Sequence, residues 1–123
     1  MMLKTFALAA ALMLASAVPA AAESLCSEPI APAPVNGAVI THEQLLAALA
    51  DATTFIKQSD GYQDCVNKEF DLAVAKAKKD KTDVDPALLA AKAAKIAANQ
   101  ALKEKVGAEF NAASHAWHAA HPG

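Results

Sequence analysis

Imidazole and thiol are the side chains through which this sequence could do chemistry, and both are few: His42, His115, His118 and His121, with Cys26 and Cys65. Three of the histidines stand three apart at the end of the chain, and His42 stands beside Glu43. Neutral imidazole is a good ligand for Zn²⁺, Cu²⁺ or Ni²⁺. On a helix, steps of three rotate successive side chains by about 60°. His115 and His118 could therefore chelate together, and His121 would need the helix end to fray. The competing reading is that histidines near a helix C-terminus suit its dipole and the solvent. Enzyme signatures are absent from the pattern. Ser24, Ser27, Ser59 and Ser114 sit in no nucleophile motif, no glycine-rich phosphate loop occurs, and Asp60 and Asp64 have the spacing of ordinary surface acids. A non-enzymatic protein is expected.

The thiols are read through the compartment. Residues 1–22 have the form of a secretory leader. Lys4 supplies the charge, the apolar run from Phe6 to Val18 is short for a bilayer span, and Pro19-Ala20-Ala21-Ala22 offers small residues for cleavage before Glu23. The alternative is an uncleaved anchor. Removing Lys4 with the leader leaves ten lysines, no arginine and thirteen carboxylates, a net charge near −3. That balance excludes a general nucleic-acid binder. Export to the periplasm or the medium makes Cys26 and Cys65 disulfide partners, within the chain or between chains.

These groups must be positioned by helices. Thr41-His42-Glu43-Gln44 reads as a capping box. After it, Leu45, Leu49, Ala52, Ile56, Val66, Phe70, Ala73 and Ala77 recur in steps of three and four, which keeps one helix face in phase. The phase persists across Asp60-Gly61, so one helix over about 42–81 is expected rather than two broken at Gly61. Asp85 is a good N-cap and Pro86 a good first residue for a second helix over about 86–119, with Leu89, Ile96, Lys103, Phe110 and Trp117 seven apart. The short connection folds the two into an antiparallel hairpin. A turn centred on Asp83 would set Leu49 against Trp117, Ile56 against Phe110, Gln63 against Lys103, Val66 against Gln100, Phe70 against Ile96 and Ala77 against Leu89.

Residues 23–40 contain Pro29, Pro32 and Pro34 and favour an extended arm. Thr41 to Cys65 spans about 36 Å of helix. The chain from Cys26 to Thr41 reaches roughly 46 Å in polyproline II form, so it can run back to Cys65 only if nearly extended. Ile30, Val35, Val39 and Ile40 are expected to pack on the first helix, with Phe55, Tyr62 and Leu72 widening its apolar arc. The register gathers all four histidines at the open end. The turn end is basic, with Lys76, Lys78, Lys79, Lys81, Lys92 and Lys95, and could touch anionic envelope lipid or polysaccharide. The same lysines could simply solvate an alanine-rich face. A thin two-helix core also leaves room for a homodimer.

The stretch Asn99-Gln100-Ala101-Leu102-Lys103-Glu104-Lys105-Val106-Gly107, followed by Phe110-Asn111-Ala112-Ala113, and the stretch Tyr62-Gln63-Asp64-Cys65 resemble an uncharacterised family of short exported α-helical proteins of Gram-negative bacteria. The resemblance implies a leader, a proline-containing arm with one cysteine, a second cysteine in the first helix, and no established activity or site. The expected protein is all-α and exported, with a structural or interaction role toward an unknown envelope protein or surface. The alternative is a periplasmic metal-binding protein using the histidine end.

Overall fold

The computed structural model describes residues 24–123. The leader read at residues 1–22 lies outside the described residues. Two helices, α1 (His42–Lys79) and α2 (Pro86–Ala120), pack against each other as a hairpin. At about 1.5 Å per residue, α1 is a rod of roughly 57 Å. The capping box is formed: Thr41 Oγ1 accepts from the Gln44 N–H at 3.1 Å, and Gln44 Oε1 accepts from the Thr41 N–H at 2.9 Å. Asp85 Oδ1 accepts from the Ala87 N–H at 2.9 Å and starts α2. Helix α1 passes through Gly61 unbroken. A Cβ there would meet nothing within 4 Å, so the glycine costs only helix propensity, about 1 kcal/mol.

Helix α1 ends at Lys79, two residues before the expected boundary. Asp80 is the C-cap, and Lys81 adopts φ 53°, the left-handed conformation more often taken by glycine. The Thr82 N–H donates to the Ala77 carbonyl at 2.9 Å, and the Lys81 N–H to Lys78 at 3.3 Å. These are the two bonds of a Schellman end, and they satisfy carbonyls the helix would otherwise leave open.

The register differs from the expected one by about one turn. Gln63 meets Asn99 and Gln100 rather than Lys103, which instead pairs with Asp60. Phe70 lies under Lys92, whose Nζ stands 4.5 Å from the ring centroid. Trp117 meets His42 rather than Leu49. Leu49 and Leu89, both expected to be inside, are 42 % and 53 % exposed. The apolar stripe alone cannot choose between neighbouring turns, because alanine offers little area to any of them. Phe55 and the buried Ser59 and Asn99 choose instead: Phe55 packs with Ala52 and Val106, joined by Ala31, Leu102 and Phe110.

Residues 24–40 form neither helix nor strand and lie in the groove between the helices. Ser24 and Leu25 bond to Glu69, Cys26 is joined to Cys65, Ala31 packs on the Phe55 cluster and Gly37 abuts Ala113. The segment thus runs opposite to α1. Its contact side is the expected one only in part. Ile30 and Val39 are 92 % and 77 % exposed, Leu72 is also exposed, and Ala31 and Gly37 face the helices. Val35, by contrast, lines the groove beside Ala48, Ala52, Val106 and Phe110, and Ile40 is half-buried, as expected; the close backbone approach is local to Gly37, where a Cβ would meet the Ala113 carbonyl. At Asn36 the chain turns, with the Val39 N–H donating to the Asn36 carbonyl and the Ala38 N–H to Asn36 Oδ1.

Burial is confined to one half of the rod. The buried residues run from Leu45 to Val66 on α1 and from Asn99 to Ala113 on α2, with Gly37 from the arm. Between Asn67 and Ala98 no residue is buried.

Candidate functional site

At the open end, α1 delivers His42 from its first turn and α2 delivers Trp117, His118 and His121 from its last. The Trp117 ring is the centre of the group. His42 stands 5.0 Å from it and tilted, His118 5.2 Å away edge-on, and His121 stacks on it at 4.3 Å. His121 Nδ1 also lies 2.8 Å from the Trp117 carbonyl, and the Trp117 Nε1–H is buried with no partner. The four imidazoles are exposed, and His115 makes none of these ring contacts. The structure therefore brings His42, His118 and His121 around one indole. Among the described residues, the only three ligand-type groups with atoms mutually within 4.8 Å are Cys26, Cys65 and Glu69, whose sulfurs are bonded to each other.

Midway along the rod, Asn99 and Ser59 are fully buried. The Asn99 amide donates to Ser59 Oγ at 3.1 Å, and Asn99 Oδ1 accepts from Gln63 Nε2 at 2.9 Å. Sequence reasoning put Ser59 on the core stripe but gave Asn99 no role. The signal available was its place seven residues before Val106, on the apolar side of the second helix; that it stands opposite Ser59 depends on the register, which the apolar stripe leaves open. Replacing Asn99 with alanine is expected to cost about 2–3 kcal/mol, because it leaves the Ser59 oxygen unpaired beside a small cavity. Removing both polar groups together, Ser59→Ala with Asn99→Leu, is expected to be much milder, and urea titration of the two variants separates the cases.

The arm's anchor lies next along the groove. Glu69 accepts from Ser24 Oγ at 2.9 Å and from the Leu25 N–H at 2.6 Å, one turn beyond the disulfide. Burial, then the Glu28 and Glu69 carboxylates, push the Tyr62 phenol above its ordinary value. Asp64 raises Lys68 through a hydrogen bond first and its charge second, on an exposed surface. Asp60 is paired with Lys103 and Asp64 with Lys68, so neither carboxylate is paired with the other.

At the turn end, Lys76, Lys78, Lys79, Lys81 and Lys95 are exposed and Lys92 is half-buried over Phe70. A cleft of about 100 Å³ lies here between the helices, lined by Val66, Phe70, Ala73, Leu88, Lys92 and Lys95 among others. No protein-family model matches the chain, and neither a curated protein nor a solved structure does.

Proposed function

We propose that the chain is a non-enzymatic protein of the cell envelope, exported to the periplasm or the medium, with a structural or protein-interaction role. The likeness to short exported helical proteins of Gram-negative bacteria belongs to this reading, as does the extended course of the proline-rich arm. The observation that carries it is the Cys26–Cys65 bridge, which closes 39 residues of chain and holds the arm on the hairpin. Bridges of this kind persist in oxidising compartments. Among the described residues no helix is long and apolar enough to cross a membrane, which agrees with a protein released after its leader is removed. The lysine-bearing turn end supplies a surface suited to anionic envelope polymers. Fractionating bacteria that express the full chain should recover it from the periplasm or medium, shortened at its N-terminus and with both thiols blocked to alkylation. Cytoplasmic retention with free thiols would sink the proposal.

A second reading, a periplasmic metal-binding protein, is favoured by the gathering of His42, His118 and His121 about Trp117. Trp117 is the sole tryptophan, so it reports directly on that end. Under the first reading, titration with Zn²⁺, Cu²⁺ or Ni²⁺ gives no site with a sub-micromolar Kd. Stoichiometric quenching of Trp117 by Cu²⁺ or Ni²⁺, abolished by His118→Ala or His121→Ala, would establish the second.

A further inference from the structure

The Cys26–Cys65 bridge has a carboxylate for a neighbour. An oxygen of Glu69 and the two sulfurs lie within 4.8 Å of one another. Glu69 follows Cys65 by one turn of α1, so both side chains leave the same helix face. The arm holds the carboxylate in place, Oε2 through Ser24 Oγ at 2.9 Å and Oε1 through the Leu25 N–H at 2.6 Å. Neither donor carries a positive charge that would cancel it. Lys68, on the same stretch of α1, is engaged by Asp64 at 2.8 Å. The local field is felt nearby: after burial, Glu28 and Glu69 push the Tyr62 phenol above its ordinary value. Cys65 is half-buried, and Ser24, Leu25 and Ser27 beside the bridge are exposed, so a small thiol in solution can approach it.

We infer that Glu69 is an electrostatic guard of the bridge and selects the thiols that open it: anionic thiols of the glutathione kind are turned away, and thiols bearing a positive charge are not. The inference goes beyond the envelope role above, since it concerns the chemistry of the bridge wherever the chain resides.

The charge can be followed through the reaction. Opening starts when a thiolate attacks one sulfur of the bridge. A new S–S bond forms to the reagent as the Cys26–Cys65 bond breaks, and the departing cysteine takes the electron pair as a thiolate. A second reagent thiol then attacks the mixed disulfide. The protein is left with two thiols, and the reagent is oxidised to its own disulfide. In the first step a negative charge enters from solvent and spreads over the three sulfurs. Glu69 faces that charge on the incoming thiolate, in the transition state and on the leaving sulfur. Like charges a few ångströms apart at a protein surface repel enough to slow such a step about tenfold. A reagent with an ammonium close to its thiolate brings its own countercharge and feels little of this.

Glu69 also anchors the arm, and the two roles have different signatures. Loosening the anchor opens the bridge to every thiol alike, whereas removing the charge favours the anionic ones.

The test is the rate at which the disulfide-bonded protein is reduced by glutathione and by cysteamine. The reagents are compared at equal thiolate concentration, and the freed thiols are alkylated and counted by mass spectrometry. Glu69→Gln keeps an acceptor for the Leu25 N–H, and its amide can donate to Ser24 Oγ. It should speed reduction by glutathione about tenfold and by cysteamine less than about twofold. Glu69→Asp keeps the charge and should stay within about threefold of wild type with both reagents. Ser24→Ala weakens the anchor, keeps the charge and should change both rates by the same factor. Glu69→Gln accelerated equally by both reagents would leave Glu69 an anchor only and overturn the inference. Unchanged rates in Glu69→Gln, or a glutathione rate as fast in Glu69→Asp as in Glu69→Gln, would overturn it as well.

Discussion

Replacing Cys65 with serine, or reducing the bridge, is expected to destabilise the hairpin by about 4 kcal/mol. The cysteines are 39 residues apart, and the chain-entropy relation for a loop of that size gives close to this figure. The loss is large relative to the total because the core is thin. Its buried cluster is Ala52, Phe55 and Val106, with half-buried neighbours. Domains of this size are stable by only about 5–15 kcal/mol in total. The melting temperature should therefore drop by roughly 15–30 °C, taking several degrees per kcal/mol. Thermal unfolding followed by circular dichroism with and without reductant measures it directly. A reduced protein melting within a few degrees of the oxidised one would mean that the arm contributes little to the fold.

The second large effect is expected at Gly37. A Cβ there would fall on the Ala113 carbonyl group, 2.6 Å from its carbon and 2.9 Å from the Ala113 Cα. These are main-chain atoms of a helix and cannot swing aside, so Gly37→Ala must lift the arm from α2. Among the described residues Gly123 is the one glycine with positive φ, so the backbone at Gly37 would accept alanine and the collision alone sets the cost. Losing the packing of the Asn36–Val39 turn and loosening Ala31 above Phe55 should amount to about 2–4 kcal/mol. Ala113→Gly should not rescue the variant, because the obstruction is carbonyl rather than side chain. Gly61→Ala provides the contrast: the same change in open space on a helix should add about 1 kcal/mol. Urea midpoints of the three proteins decide it, and equal midpoints for Gly37→Ala and wild type would refute the close approach.

Much of this architecture was legible in the residues. Thr41 with Gln44, and Asp85 with Pro86, are strong local signals whose hydrogen bonds are short-range, and both caps formed as read. The continuity through Gly61 was legible because phase is a property of the whole stripe, which a single residue cannot erase. The pairing of Cys26 with Cys65 was legible from an exported chain with two cysteines past its leader; reach allowed it within one chain without excluding a bridge between chains, and the structure closes it within the chain. The register was not legible, because a stripe rich in alanine binds about equally well one turn away. What breaks the tie is long-range: the hydrogen bond of Asn99 to Ser59 and the fit of Phe55 against Val106. The facing of the arm was legible only in part. Hydrophobicity puts Ile30 and Val39 inward with Val35 and Ile40, but in an extended arm only some positions can face the helices, and Ala31, Val35 and Gly37 take them. The histidine end was foreseen as a gathering of imidazoles; the indole at its centre was read only as core.

The bridge also divides the backbone into bonds whose cleavage matters differently. Cys26, Cys65 and the peptide between them form a covalent ring, so a protease cutting once anywhere from Ser27 to Asp64 makes two pieces that stay attached. A cut in the Asp80–Asp85 connection has no such safeguard, and α2 would then be retained by contacts alone. For any protease that meets the folded chain, the exposed link between the rods is the point of attack.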